Sequence, residues 1–65
     1  MTTEAIQELS RLLAERKRTR QAASAAPRSF GEGDIDRAEY ERRVAEYLSA
    51  ENAIQRFHNE WTELP

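Results

Sequence analysis

The feature that most constrains the fold is a short segment near the middle of the chain, Gly33–Tyr40, which carries the signals of a helix N-terminus. Asp36 is predicted to be the N-cap, because its carboxylate can accept hydrogen bonds from the free amides of a first helical turn. Glu39 follows three residues later, where a capping-box glutamate reaches back to the amide of the cap residue. The segment therefore predicts a helix that begins at Asp36, after a turn for which Gly33 supplies the permissive backbone.

Two long helices are predicted, one on each side of this turn. From about residue 3 to about residue 23 the chain consists of helix formers without Gly or Pro, and Thr2 or Thr3 can cap its start. The second helix is expected from about 36 to about 63. Residues 24–35 are predicted to form the loop between them, because Pro27 disfavours a helical conformation at the preceding residue. The Ala/Pro/Gly-rich part of this loop covers 24–34.

Each predicted helix carries an apolar stripe at helical spacing. The first stripe is Ile6, Leu9 and Leu13, widened by Ala5 and Leu12, and the second is Tyr40, Val44, Tyr47, Leu48, Ile54, Phe57, Trp61 and Leu64. Folding the helices back on each other places Leu13 near Leu48 and Arg16 beside Glu46 and Tyr47. We therefore expect one all-α domain over residues 1–65, an antiparallel two-helix hairpin.

The small size of the chain suggests that the hairpin does not function alone. The 65 residues include no cysteine, which excludes disulfides and thiolate metal sites. A core of this size rarely contributes more than roughly 3–5 kcal/mol without such a staple. Large apolar residues also continue along the second helix beyond the cover that the first can offer. We therefore expect self-association or a partner protein to complete the structure.

The predicted partner interface lies on the second half of the second helix. Its candidate residues are Tyr47, Glu51, Ile54, Phe57, His58, Trp61 and Leu64. Trp61 with Phe57 can anchor a partner groove or mediate self-association, since aromatic residues dominate interface hot spots. Glu51 either fixes the register as the single charge within an apolar seam or points just off the stripe. His58 is interpreted as an interface or rim residue.

An alternative function rests on four cations near the end of the first helix, Arg16, Lys17, Arg18 and Arg20, which can contact nucleic-acid phosphates. The simpler interpretation is a solvated helix end that pairs with the second helix. Residues 1–30 hold six basic and three acidic side chains, whereas residues 31–65 hold four basic and nine acidic ones. This asymmetry favours pairing between the two halves, or between copies of the chain, over a uniform field.

No catalytic constellation is present in the sequence, so we predict neither an enzyme nor a cofactor or metal site. The chain has no apolar run of membrane-spanning length. Its N-terminus lacks the pattern of a signal peptide, so a cytoplasmic location is expected. The leading prediction is a protein–protein interaction or oligomerisation module, a subunit or accessory factor of a larger assembly. The alternatives are a nucleic-acid-binding accessory or regulatory protein and a small phage-encoded structural or host-targeting protein.

The segment from Gly33 to Val44 also resembles a known pattern, that of SHOCT (short C-terminal) domains, in which a glycine, an aliphatic residue and a cap residue precede a glutamate–aromatic step. It is still more similar to a related actinobacterial domain of unknown function, through Arg43-Val44 and the terminal Glu63-Leu64-Pro65. The resemblance covers residues 33–65 and departs from both families in the composition of the connection. It implies a small helical module for oligomerisation or partner contact, with no catalytic residues.

Overall fold

The computed structural model describes residues 2–62, which form two antiparallel helices, α1 (Thr3–Gly31) and α2 (Arg37–Thr62). The predicted fold class, an all-α helical hairpin, is confirmed. The Cα atoms extend over 50 × 18 × 13 Å with a radius of gyration of 14.9 Å, against about 11 Å for a compact domain of this length. Within the described residues the hairpin is thus a single layer, and no third element covers either side.

The connection between the helices is much shorter than predicted, and the loop placed at 24–35 is wrong over most of its length. α1 continues to Gly31, so only residues 32–36 separate the helices. Pro27 lies inside α1, although proline removes one backbone hydrogen bond there. Four alanines, the strongest helix formers, precede it at 22, 23, 25 and 26. Ala26 is also completely buried against the hairpin, so tertiary packing holds the helix past the proline.

Gly33 ends α1. Its φ is +80°, a left-handed conformation that glycine adopts without steric cost. The Asp34 amide donates to the Ser29 carbonyl at 2.9 Å and the Gly33 amide donates to the Phe30 carbonyl at 3.1 Å. This pair of bonds is the Schellman motif, which satisfies carbonyls that a helix end leaves without partners.

The two predicted N-caps are present. The Thr2 Oγ1 accepts a hydrogen bond from the Ala5 amide at 3.1 Å, and an Asp36 carboxylate oxygen accepts one from the Glu39 amide at 2.8 Å. The reciprocal bond predicted for the Glu39 carboxylate is replaced by hydrogen bonds from Arg42 and Arg43, one turn further along α2. α2 therefore begins where the sequence places it, with one of the two hydrogen bonds of the capping box formed.

The helices meet along a seam in which contact positions alternate at spacings of three and four residues. Every seam residue is buried or half-buried: Ala5, Leu9, Leu12, Arg16, Thr19, Ala23 and Ala26 on α1, and Tyr40, Arg43, Tyr47, Ala50, Ile54, Phe57 and Trp61 on α2. This alternation is the heptad pattern of two helices that pack along their length. Four of its positions are alanines, whose small side chains let the helix backbones approach.

The predicted register and the predicted α1 stripe are both corrected by the structure. Arg16 lies beside Glu51 instead of Glu46, a shift of about one helical turn that follows from the later position of the turn, while its charge still acts on Tyr47. The seam contains Leu9, as predicted, and buries Ala5 and Leu12, whereas Ile6 and Leu13 are 53% and 40% exposed. The prediction gave Ile6 and Leu13 the centre of the stripe because hydrophobicity ranks Ile and Leu above the alanines on which the helices pack.

Candidate interaction surface

The middle of the seam is polar. The Arg16 Nε lies 3.8 Å from the Glu51 Oε1 across the two helices. The hydrogen bond between Tyr47 and Glu51, together with burial, raises the pKa of the tyrosine. Thr19 is 1% exposed, and its hydroxyl donates to the Glu15 and Arg16 carbonyls, so no buried side-chain polar atom lacks a partner in the described residues.

One flank of the seam is highly charged. Glu15 of α1 and Glu46 of α2 line the same shallow groove, together with Ala53. They immediately precede the seam residues Arg16 and Tyr47, so this flank is formed by the residues one position before each seam residue. Its charges form a ladder of ion pairs: Arg11–Glu8, Arg18–Glu15, Arg18–Glu46, Arg42–Glu39, Arg42–Glu46 and Arg43–Glu39. Hydrogen bonds from Arg42 and Arg43 lower the pKa of Glu39. We call this flank the charged side.

The opposite flank carries the exposed apolar residues. Each residue advances about 100° around a helix, so Ile6 and Leu13, which directly follow the seam residues Ala5 and Leu12, lie away from the charged side. In an antiparallel pair the corresponding flank of α2 follows Arg43, Ala50 and Phe57, which places Val44, Glu51 and His58 there. Leu48, one turn after Val44, is 54% exposed. We call the surface formed by Ile6, Leu13, Val44 and Leu48 the apolar side.

The apolar side is also depleted of charge in the half of the hairpin away from the loop. The uncharged residues of this flank and of the adjoining back of the helices are Ile6, Gln7, Ser10, Leu13, Ala14, Val44, Ala45, Leu48, Asn52, Gln55 and Asn59. Lys17 and Arg20 follow the seam residues Arg16 and Thr19, so they lie on the same flank, level with Leu48 and Val44. Farther from the loop than Lys17, the one carboxylate on this flank is Glu51, which is paired with Arg16. Depletion of charge around large apolar residues is typical of the centre of a protein interface.

The residues predicted to form the partner interface are divided by the structure. Tyr47, Ile54, Phe57 and Trp61 are half-buried in the seam, and the rings of Phe57 and Trp61 lie 5.9 Å apart. These two aromatic residues line a groove of about 500 Å³ with Ala5 and Leu12 of α1.

The remaining candidates lie elsewhere. Glu51 forms its ion pair within the chain and directly follows the seam residue Ala50, so of the two interpretations offered for it the structure favours a side chain just off the stripe. His58 is on the exposed surface. Leu64 lies outside the described residues. The apolar side was not predicted as an interface.

The basic segment does not form one surface. Arg16 points into the seam, and Arg18 pairs with Glu15 and lies 3.9 Å from Glu46 on the charged side. Lys17 is one residue from each of them and so projects in a third direction. Among the described residues, only Lys17 and Arg20 of the four cations make no ion pair with a carboxylate. The cations of this segment therefore point in different directions around α1 and do not form one surface that could face a polyanion.

Comparison of the chain with family models, with curated proteins and with solved structures finds no match. Neither of the described helices is long and apolar enough to cross a membrane. Within residues 2–62, no three His, Asp or Glu side chains gather as a group that could hold a metal ion.

Proposed function

We propose that this chain is a non-enzymatic protein–protein interaction or oligomerisation module and that its docking surface is the apolar side. The observation that carries the proposal is the segregation of the hairpin surface. One side is a ladder of ion pairs, and the other exposes the large apolar residues Ile6, Leu13 and Leu48. Burying a large aliphatic side chain stabilises an assembly by about 1.5–3 kcal/mol, so a partner that covers this side gains most of its binding energy there.

The weak core of the isolated hairpin supports the same function. Its buried apolar residues are Ala5, Leu12, Ala26 and Ala50, and the largest side chain with less than 2% exposure is Thr19. A core made chiefly of alanines removes little apolar area from water. Association would add the missing burial, since a ligand that binds only the folded state stabilises that state.

Substitution of Leu48 and its neighbour tests the proposal directly. Leu48 lies on the apolar side, whereas Ser49, which is also exposed, lines the groove on the charged side. In the native cell, chemical cross-linking should join the wild-type chain and Ser49→Glu into a larger species but should leave Leu48→Glu as a single chain. Circular dichroism of the purified variants controls for loss of helix. Equal cross-linking of all three chains, or none of the wild type, would contradict the proposal.

The family resemblance supports the proposed function, and the basic segment supports the nucleic-acid alternative less well. The resemblance of residues 33–65 to SHOCT-like modules agrees with a role in partner contact, as does the expected cytoplasmic location. The nucleic-acid alternative has weaker support, because Arg16 and Arg18 are engaged by Glu51 and Glu15.

A further inference from the structure

We infer that the apolar side is covered by a second copy of this chain, which packs with its loop at the opposite end and so forms a four-helix arrangement. This inference rests on the proposed function, because it names the partner of the same surface. It follows from the area that the hairpin exposes, from the symmetry of the apolar side and from the position of two cations.

The exposed area of the chain matches what one standard interface would remove. The chain exposes 5078 Å², whereas a folded monomer of its mass is expected to expose about 4,200 Å². The excess, about 800 Å², is close to the area that each partner contributes to an interface of standard size. Contact with one further hairpin on one side would therefore give this chain the exposure of an ordinary folded protein.

The apolar side is suited to pairing with itself. Ile6 and Leu13 lie seven residues apart on one line along α1, and Leu48 lies beyond Leu13 on the facing part of α2. A twofold axis near Leu13 would place Leu13 against its own counterpart and Ile6 of each copy near Leu48 of the other, as in the isologous interfaces of most homodimers.

The relative direction of the two copies follows from Lys17 and Arg20. Both lie on the same flank of α1 as Leu13, nearer the loop than Leu13, and neither is paired with a carboxylate of the described chain. If the copies were parallel, these cations would face the same cations of the second copy, and like charges repel. If the loops lie at opposite ends, the cations of the two copies lie on opposite sides of the twofold axis and are kept apart. The antiparallel arrangement is therefore the one that the charges permit.

Sedimentation equilibrium of the purified full chain tests the identity of the partner. Over a wide range of concentration, the wild-type chain and Ser49→Glu are expected to show a reversible monomer–dimer equilibrium. Leu48→Glu places two carboxylates in the symmetric contact and should weaken dimerisation by about 100-fold or more. A wild-type chain that stays monomeric, or that forms a species heavier than a dimer, would overturn the inference.

Spin labels on single cysteines test the direction, since the natural chain has no cysteine to interfere. Ser10 and Ser24 are exposed and lie two heptads apart on the same line of α1. In the antiparallel dimer, two labels at Ser10→Cys are close, whereas two at Ser24→Cys are separated by about 30 Å along the axis, at 1.5 Å per residue. In a parallel dimer the two label pairs would give the same distance. Equal distances would therefore overturn the proposed arrangement.

The two experiments separate this inference from the proposed function. A monomeric purified chain whose cross-linking in the native cell still depends on Leu48 would refute the second copy and retain the interaction module. A monomeric chain with no Leu48-dependent cross-linking would refute both. A dimer that forms equally well with Leu48→Glu would show that the copies meet on another surface.

Discussion

Arg16 on α1 and Glu51 on α2 form an ion pair across the centre of the seam, with 3.8 Å between the guanidinium Nε and the carboxylate Oε1. The seam residues around them are mostly small or apolar. A slip of one turn along α2 would move Glu51 away from Arg16 and break this ion pair. We therefore interpret the pair as a contact that helps to fix the register of the hairpin.

The energetic contribution of the Arg16–Glu51 pair is expected to be modest. The two side chains are 38% and 39% exposed, and water screens a pair of this kind. A double-mutant cycle with Arg16→Ala and Glu51→Ala, read by urea unfolding, should give a coupling free energy of about 0.2–1 kcal/mol. The more exposed pair Arg28–Glu32 is the control. A coupling no larger than that of the control would show that the pair does not hold the register.

The hydrogen bond between Tyr47 and Glu51 predicts a loss of stability in alkali. That bond, and then burial, raises the pKa of Tyr47 above its ordinary value of 10.0. The stability that the neutral phenol confers is therefore present below pH 10 and is lost as the pH rises through the higher pKa of the folded state. Glu51→Ala should lower the titration midpoint of Tyr47, measured by tyrosinate absorbance in a Tyr40→Phe background. An unchanged midpoint would refute the role assigned to Glu51.

Asp36→Ala is expected to destabilise the chain by about 1 kcal/mol, because the Glu39 amide then loses its side-chain acceptor. Asp34→Ala is a matched control, since Asp34 is exposed and takes part in the turn through its backbone amide. Chemical denaturation of the two variants and of the wild type gives the comparison. Equal losses would show that the carboxylate of Asp36 acts through general charge near the helix and not as a cap.

The start of α2 could be predicted from sequence because its signals are local. An N-cap needs only the cap residue and the first turn of its own helix, so the pattern at Asp36 specifies the structure that it forms. The end of α1 could not be predicted in the same way. Gly33 was correctly assigned to the turn before α2, but Pro27 was interpreted as a break, since the burial of Ala26 that holds the helix past it depends on α2.

The register of the hairpin and its exposed apolar surface could not be predicted either, because both depend on contacts between the two helices. Once the turn was placed too early, every pairing between the helices shifted by about one turn, and Arg16 was assigned the wrong carboxylate. Seam positions also depend on how closely the backbones approach, which favours Ala5 over Ile6 although isoleucine is the more hydrophobic. Apolar surplus was therefore expected at Phe57 and Trp61, whereas the structure exposes Ile6, Leu13 and Leu48.

The two glycines at the end of α1 should respond in opposite directions to alanine. Gly33 has a φ of +80°, and an added Cβ would meet no atom within 4 Å, so Gly33→Ala should cost about 1 kcal/mol through backbone strain alone. Gly31 has equally open surroundings but ends the helix without a positive φ. Gly31→Ala should leave stability unchanged or raise it by up to about 1 kcal/mol. Thermal unfolding of both variants measures these two effects. If Gly31→Ala destabilised the chain as much as Gly33→Ala, this explanation of the turn would be wrong.

Replacing Pro27 by alanine should stabilise the chain. Proline in a helix interior destabilises the folded state by about 3 kcal/mol relative to alanine. Proline also restricts the unfolded chain, which stabilises the folded state by up to about 1 kcal/mol. We therefore expect Pro27→Ala to raise the free energy of unfolding by roughly 1–2 kcal/mol, because an amide at 27 can donate to the Ala23 carbonyl. Ser24→Ala, one turn earlier and exposed, controls for helix propensity and should change stability by only a few tenths of a kcal/mol.

The opposite result for Pro27→Ala would have a specific structural meaning. The proline ring lines a small hollow of about 320 Å³ with Phe30, Arg37 and Tyr40, and the rings of Phe30 and Tyr40 lie 5.5 Å apart. A destabilised variant would show that packing in this hollow outweighs the missing hydrogen bond. Measuring Pro27→Ala again with Phe30→Ala would then separate the two effects, since the loss should disappear once the aromatic partner is removed.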